Sequence, residues 1–155
     1  MLLQELFRGD NIIPWKWNYD DVNSGIANFK IGELTYTINF MEKTFGDIMK
    51  FQSRETIQKY GNLLDVDAPI IAIYFYSRKE GTSMRFAPTG EGNAFLVYNT
   101  IVDTVKNYVT NVKPRALYFS AITESQGNIY YRLMKKIGVG WNLVKMSPKE
   151  FILYR

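Results

Sequence analysis

The sequence contains neither cysteine nor histidine. Without cysteine, the chain cannot form disulfides, thiolate zinc sites or a cysteine nucleophile. Without histidine, it cannot build a Ser-His-Asp triad, a His-ligated metal centre or the usual general base at neutral pH. Any proton transfer must therefore use Asp, Glu, Tyr, Lys, a backbone group or water. We expect no bound metal.

Long apolar runs are also missing, since none approaches the 18 residues that suggest a membrane span. The first residues, Met1 to Glu5, lack a basic region followed by an apolar one, so no signal peptide is predicted. An intracellular protein without a membrane partner is the expectation. The 155 residues are close to one typical domain, and we predict a single domain over 1–155. Aromatic residues make up 15% of the chain, which suits a sheet-rich core.

Charge is distributed unevenly along the chain. Residues 1–93 carry 10 basic and 12 acidic side chains, whereas residues 94–155 carry 9 basic and 3 acidic ones. A basic half can attract nucleic acid, an acidic protein or a phosphate-bearing cofactor. The alternative is a set of solvated helix faces, because scattered surface lysines are common. Nucleic acid has the least support of these partners, since no stacking-aromatic motif of a recognised RNA-binding kind is present.

Hydrophobic periodicity predicts the order of strands and helices. Apolar and polar residues alternate over 34–40, and Gly32 separates this run from Phe29 and Ile31, so a hairpin is predicted over 28–41. The continuous apolar run Ile70–Tyr76 is typical of a central strand buried on both faces. Periodic apolar residues also predict helices that start at 94 and near 129, and apolar runs predict a strand over 117–121. A final hairpin is predicted from the runs 141–146 and 151–154. The segment 45–64 is predicted to be a helix-containing connection, with Asp47 as a possible cap.

One segment could carry chemistry, namely Pro88-Thr89-Gly90-Glu91-Gly92-Asn93-Ala94, which lies between a predicted strand and a predicted helix. Two glycines one residue apart let the backbone approach a ligand closely. The helix N-terminus behind them offers unpaired N–H groups and partial positive charge, a combination that binds phosphate. The alternative is an ordinary helix entry with Thr89 or Asn93 as the capping side chain.

The order of strand, Gly-x-Gly turn, long helix, strand ending Phe119-Ser120-Ala121, helix with Tyr131 and hairpin resembles the GCN5-related N-acetyltransferase family over roughly Ala68 to Arg155. The resemblance implies an α+β fold with a mixed central sheet flanked by helices and an N-terminal antiparallel hairpin. It implies acetyl-CoA as cofactor, with the pantetheine arm between strands 70–76 and 117–121. It also implies Tyr131 as the acid for the leaving thiolate. The residues matching the pyrophosphate cradle are Thr89, Gly90, Gly92, Asn93 and Ala94.

A narrower resemblance rests on three spaced segments, Thr89-Gly90-x-Gly92-Asn93-Ala94-Phe95, Phe119-Ser120-Ala121 and Tyr131-Arg132-Leu133. Together they are similar to small bacteriophage proteins of acetyltransferase-like type. This similarity implies a phage origin, and with it a location in the cytoplasm of the infected bacterial host or in the virion. Relative to the GCN5-related N-acetyltransferase family, the segment 44–67 is interpreted as an insertion between family strands.

Three functional hypotheses follow. In the first, the chain transfers an acetyl group from acetyl-CoA to an amine, with Tyr131 as acid and Glu124 or Asp103 as candidate bases that nothing in the sequence positions. In the second, the fold is a non-catalytic module that binds a host or virion protein. Its motivation is Ala87 where the family usually has Arg or Gln, and Glu91 between the glycines. The third is nucleic-acid binding through the basic half.

Two smaller features have two interpretations each. Trp15 and Trp17 are either an interface anchor or packing by the N-terminal segment. The basic side chains of Arg132, Lys135 and Lys136 could meet phosphates or an acidic partner, or they form a solvated helix face.

Overall fold

The computed structural model describes residues 12–19, 24–79, 84–85, 94–121 and 123–155, and these residues have the predicted α+β class. Within them lie eight strands: β1 Lys16–Tyr19, β2 Gly25–Ile31, β3 Leu34–Thr44, β4 Pro69–Lys79, β5 Met84–Arg85, β6 Ala116–Ser120, β7 Asn142–Ser147 and β8 Glu150–Tyr154. The helices of the same residues are α1 Phe45–Met49, α2 Arg54–Tyr60, α3 Ala94–Val112 and α4 Glu124–Ile137. No helix among these residues is long and apolar enough to cross a membrane.

By compactness the chain divides into two units. The first unit comprises Met1–Asn39 and Phe75–Lys113, and the second comprises Phe40–Tyr74 and Pro114–Arg155. Strands β3 and β4 neighbour each other, and each contributes residues to both units. Whether 1–155 behaves as one domain stays a prediction.

The first unit begins with the antiparallel strands β1, β2 and β3. Gly32 stands between β2 and β3 with φ of +59°, a left-handed conformation that glycine adopts without the penalty of a Cβ atom. The predicted hairpin is therefore confirmed. Across it, the Thr37 hydroxyl donates to Asn28 Oδ1 at 2.8 Å, which satisfies a polar pair in a largely apolar strand face.

Aromatic rings and one long helix complete the first unit. Phe29 stacks on Tyr36 with centroids 5.1 Å apart, and Tyr36 stacks on Phe75 at 5.8 Å. The helix α3 buries one stripe of side chains and ends before Lys113, which has φ of 55° and precedes Pro114. The predicted helix is confirmed. Its buried apolar residues recur every three or four positions, as an amphipathic helix requires: Val97, Ile101, Val105 and Tyr108.

Both tryptophans of the N-terminal segment pack on α3. The Trp15 indole N–H donates to Asp103 Oδ2 at 3.0 Å, and that of Trp17 donates to Asn107 Oδ1 at 3.4 Å. The two indoles meet edge to face, with centroids 5.2 Å apart. This arrangement confirms the packing interpretation of the tryptophans.

The second unit contains the strand order β4-β6-β8-β7. Strands β4 and β6 are parallel, whereas β6–β8 and β7–β8 are antiparallel. Strand β6 is followed by α4 and then by the β7–β8 hairpin, so the predicted strand-helix-hairpin order is confirmed.

One face of the second unit is covered by α1 and α2. Phe45, Ile48 and Met49 of α1 pack with the buried side chains of the sheet, namely Ile70, Ala72, Ala116, Tyr118, Met146 and Ile152. The backbone also ties this segment down, since the N–H of Phe45 donates to the carbonyl of Ala68 at 2.9 Å. The segment 45–60 is therefore part of the core of this unit.

The start of α1 corrects one detail of the sequence interpretation. The N-cap is Thr44, not Asp47, and Asp47 closes a capping box from the N3 position. The Asp47 N–H donates to Thr44 Oγ1 at 3.1 Å, and the Thr44 N–H donates to Asp47 Oδ2 at 3.3 Å. That second bond is the main reason why the pKa of Asp47 is lowered.

The opposite face of the second unit packs against α4. Tyr130, Leu133 and Met134 are buried there. Near its first turn, α4 approaches the turn between β7 and β8 so closely that a Cβ atom on Gly127 would collide with the carbonyl oxygen of Pro148. Glycine at this position permits the close approach of two backbones.

Candidate functional site

The predicted pyrophosphate cradle falls mainly outside the described residues. Thr89, Gly90, Gly92 and Asn93 all lie there, and Ala94 is the residue at which α3 begins. Helix α3 carries no acidic residue in its first turn, so no side chain of that turn opposes the partial positive charge of its N-terminus. The role of these five residues stays a prediction.

Tyr131, the predicted acid, is a half-buried residue of α4. Its ring lies 5.6 Å from the ring of Phe151, centroid to centroid. The ammonium nitrogens of Lys135 and Lys145 lie 4.7 Å and 5.7 Å from the Tyr131 centroid, in the range of cation–π contacts. Its function as an acid also stays a prediction.

The two carboxylates named from the sequence as candidate bases lie in ordinary structural positions. Glu124 is exposed in the first turn of α4. Asp103 lies on α3 and accepts the hydrogen bond that the Trp15 indole donates. Neither position gives the carboxylate a feature that suggests a base.

The parallel pairing of β4 with β6 in the second unit is short. The parallel ladder between β4 and β6 contains the pairs Ile71↔Leu117, Ala72↔Tyr118 and Ile73↔Phe119. It stops there, although β4 continues to Lys79 and β6 continues to Ser120. In open α/β sheets, ligands bind outside the carboxyl ends of parallel strands. The end of this ladder is therefore a candidate binding position.

Polar side chains gather at that end, and we call them the Glu150 cluster: Gln52, Tyr74, Tyr118, Ser120 and Glu150. Ser120 and Glu150 are direct partners in the antiparallel β6–β8 ladder, so their side chains share a face of the sheet. Tyr118 lies two residues before Ser120 and shares that face as well. Gln52 follows α1, the helix that covers this face. Side chains from the three strands and from the end of the covering helix thus form one polar group beside an apolar core.

The hydroxyl group of Tyr118 is the centre of the cluster. Tyr118 is only 6% exposed, and its hydroxyl group hydrogen-bonds with the side chains of Ser120, Gln52 and Glu150. Burial raises the pKa of Tyr118 far above its ordinary value, and the negative charge of Glu150 raises it further. Side-chain hydrogen bonds with Ser120 and Gln52 lower the same pKa. The phenol in turn donates to the carboxylate of Glu150.

Glu150 has one oxygen atom without a donor. Its Oε2 is buried and has no hydrogen-bond partner among the described residues. Tyr74 is also close, because the charge of Glu150 adds to burial in raising the pKa of Tyr74. A buried acceptor left unsatisfied costs about 1–3 kcal/mol, so its presence calls for an explanation.

Sequence reasoning missed Glu150. The available signal was the alternation of Glu150, Ile152 and Tyr154, which places a carboxylate on the same face as core residues. The same alternation also fits a strand whose first residue is exposed to solvent. The pairing of Glu150 with Ser120 of the neighbouring strand shows that Glu150 lies beside the polar groups of β6. Groups of three or more Asp or Glu side chains that could hold a metal ion are absent from the described residues.

Tyr118 makes alkaline stability a testable property. Its pKa is raised in the folded state, so above about pH 10 the unfolded chain releases this proton while the folded chain keeps it. The unfolded state then binds fewer protons, and stability falls as pH rises. We expect Tyr118→Phe to reduce this fall between about pH 10 and pH 12. The pKa values of Tyr74 and Tyr98 are raised as well, so part of the loss of stability at alkaline pH should remain in the variant.

Urea unfolding at several pH values measures the effect. The slope of stability against pH is the quantity compared, because the variant also loses hydrogen bonds at neutral pH. Absorbance of tyrosinate, followed in the same samples, reports the ionisation directly. An identical alkaline slope in both proteins would show that Tyr118 titrates normally.

Comparison with known proteins identifies no family. No family model matches the chain, and no curated protein matches it. A solved structure described as AtaT complexed with acetyl-methionyl-tRNAfMet aligns with 84% of this chain and 69% of that chain, at 14% identity and a TM-score of 0.39. The α+β class and the order of strands and helices given above are taken from the structure of this chain and not from that similarity.

Proposed function

We propose that the chain is an acyl-CoA-dependent N-acyltransferase, which transfers an acetyl group from acetyl-CoA to an amine. The observation that carries the proposal is the three-pair β4–β6 ladder, whose carboxyl end bears the Glu150 cluster. A binding position beside interacting titratable groups is what proton-coupled acyl transfer requires. The resemblance of residues 68–155 to N-acetyltransferases supports the same class.

The residues of this chain fit acetyl-CoA in two respects. The Gly-x-Gly segment directly precedes α3, whose first turn has no acidic side chain, and such a helix entry suits a pyrophosphate. The parallel ladder ends where the resemblance implies the pantetheine arm. When bound, acetyl-CoA would supply the activated thioester. In the same proposal Tyr131 is the acid that protonates the leaving sulfur.

Ligand-induced stabilisation tests the proposal. With CoA or acetyl-CoA at about a hundredfold excess over Kd, we expect a gain of about 2.7 kcal/mol in unfolding free energy, which is several degrees in Tm. Pantetheine is the control ligand, because it lacks the pyrophosphate and should stabilise less. For Gly92→Val, the Tm with CoA is compared with the Tm of the same variant without ligand. We expect no increase, since a side chain at position 92 would prevent close approach of the backbone to the ligand.

No change in Tm at millimolar CoA would contradict the proposal. If that result were accompanied by a stable complex with a host or virion protein in size-exclusion chromatography, the non-catalytic binding module would become the better function. The 83% exposure of Phe51 beside α1 is the observation that favours such a module.

A further inference from the structure

Helix α4 covers β8 and leaves the outer strand β7 beside it. In the middle of the helix Tyr131 packs on Phe151, and just after its end Gly138 lies against the side chain of Leu153. Strand β7 is the last in the strand order of the sheet. Its residue Lys145 pairs with Phe151 across the ladder, so it shares the face that carries α4, and it is exposed. The margin of this face is therefore open beside the helix.

Two aromatic rings on this margin each carry cations. The ammonium nitrogens of Lys135 and Lys145 lie 4.7 Å and 5.7 Å from the Tyr131 centroid. The guanidinium carbon of Arg155 lies 4.3 Å from the ring centroid of Trp141. Trp141 stands at the end of α4, because its N–H donates to the carbonyl of Gly138 at 2.9 Å. We call the five cationic and aromatic side chains the β7 strip: Tyr131, Lys135, Trp141, Lys145 and Arg155.

The charge around the β7 strip is positive. Residues 114–155 carry seven basic and two acidic side chains. Of the two acids, Glu124 is in the first turn of α4, about 10 Å of helix before Tyr131. Glu150 pairs with Ser120, and its side chain lies on the other face of the sheet from that of its neighbour in β8. The carboxylates of this segment therefore do not neutralise the strip.

Two of the like charges are close together. Because Lys135 and Lys145 approach the same ring, their ammonium groups lie within about one Debye length of each other, roughly 10 Å at 0.1 M salt. Their repulsion is relieved when an anion approaches both. The strip thus combines a preference for anions with aromatic surface, and a ligand that uses all of it must present both negative charge and flat rings.

We infer that the β7 strip binds single-stranded nucleic acid. Proteins that bind single strands combine a positively charged path for the phosphates with aromatic side chains on which bases stack. An acidic peptide would match the cations but has no use for the rings. Duplex ends or stems would match the cations, but their bases are already stacked and paired. Unpaired bases on a phosphate chain satisfy both parts of the strip.

The spacing along β7 favours a strand over a mononucleotide. Four residues separate Trp141 from Lys145, which is about 13 Å along a β-strand. A base that stacks on Trp141 can place its own phosphate near Arg155. The phosphates that meet Lys135 and Lys145 must then belong to nucleotides further along the chain. A strand of several nucleotides can therefore contact both ends of the strip at once.

The inference is independent of the proposed acyl transfer, because it uses the ring of Tyr131 and not its hydroxyl group, and it involves no CoA. It also differs from what the sequence indicated, where no stacking motif was found. The strip joins a helix and the two strands of a hairpin, and only the tertiary structure brings these positions together.

Binding is measured by fluorescence anisotropy of fluorescein-labelled octathymidylate and octauridylate with the full chain and no CoA. We expect saturable binding whose log Kd rises with log salt by about 2 between roughly 50 and 200 mM NaCl, as three neutralised phosphates require. Comparable affinity for both oligonucleotides is expected, since the strip has no group assigned to the 2′-hydroxyl. Thymidine monophosphate should bind much more weakly. If it binds as tightly, the strip takes a mononucleotide and not a strand.

Two variants separate stacking from charge. Trp141→Leu should weaken binding of octathymidylate roughly 5- to 150-fold and leave the salt dependence unchanged. Lys145→Gln should lower the salt dependence by about 0.7. The matched control is Lys59→Gln, because Lys59 is also exposed and lies 5.3 Å from a tyrosine ring, but on α2. It should change neither quantity. Should Trp141→Leu fail to fold, Lys145→Gln against Lys59→Gln still decides the outcome.

Indole NMR signals locate the contact directly. On addition of octathymidylate, the indole N–H signal of Trp141 should shift, whereas those of Trp15 and Trp17, which donate to side chains of α3, should not. Absence of binding at 50 mM NaCl would overturn the inference. So would equal losses of affinity in Lys145→Gln and Lys59→Gln. Displacement of octathymidylate by octaglutamate at the same concentration as by unlabelled octathymidylate would instead assign the strip to an acidic protein.

Discussion

Replacement of Phe45 by alanine is expected to lower the free energy of unfolding by about 3–5 kcal/mol. Phe45 is fully buried at the start of α1 and belongs to the core of the second unit. Truncation removes the transfer energy of the ring and leaves a cavity between the helix and the sheet. The position matters because the segment 44–67 was interpreted from the sequence as an insertion. An insertion that only decorates the fold would tolerate the change.

Phe51→Ala is the matched control for this prediction. The same side chain is removed six residues later, where it is 83% exposed. We expect a change within about 0.5 kcal/mol, as at most surface positions. Urea unfolding of both variants gives the comparison. If Phe45→Ala costs no more than Phe51→Ala, the packing of α1 against Ile70 and Ile152 contributes little to stability.

Replacement of Gly127 by alanine is expected to cost about 1–3 kcal/mol, although alanine is the better helix former by about 1 kcal/mol. A Cβ atom would meet the carbonyl oxygen of Pro148 in direct collision, with the Pro148 carbonyl carbon at 3.2 Å and Lys149 Cα at 3.3 Å. All three atoms belong to backbone, which cannot rotate away. The turn is also fixed from its other side, since the Ala121 N–H donates to the Lys149 carbonyl at 2.7 Å.

The adjacent residue provides the control, because Asn128 lies exposed on the same helix. Asn128→Ala should be neutral or slightly stabilising, in line with helix propensity. Thermal unfolding of the two variants separates steric from intrinsic effects. A Gly127→Ala variant as stable as wild type would mean that the turn moves freely away from α4.

Much of the fold could be predicted because its signals are local. The period-two run in β3 and the glycine at 32 define the hairpin within 14 residues of chain, and the apolar stripe of α3 needs only its own turns. Boundaries were less accurate where side chains compete for one role. At the start of α1, Thr44 and Asp47 are both residue types that cap helices. The structure places Thr44 at the N-cap and Asp47 at the N3 position of a capping box.

The candidate site was less accessible to sequence reasoning. Tyr131 followed from the resemblance, and the glycine turn was proposed from its own chemistry as well. The Glu150 cluster, in contrast, joins residues from position 52 to position 150. Its members are individually ordinary for a strand or a turn. The unusual property is that one carboxylate oxygen lies buried without a donor, and this depends on every neighbour at once.

By itself, the sequence determined the order of strands and helices and excluded cysteine and histidine chemistry, because periodicity and composition are properties of the chain alone. The tertiary structure decided which polar residues act together. The register Ser120↔Glu150 and the end of the β4–β6 ladder at Ile73–Phe119 arise from pairing between distant segments. A shift of one residue in either ladder would turn these side chains to the other face, and no local pattern specifies that choice.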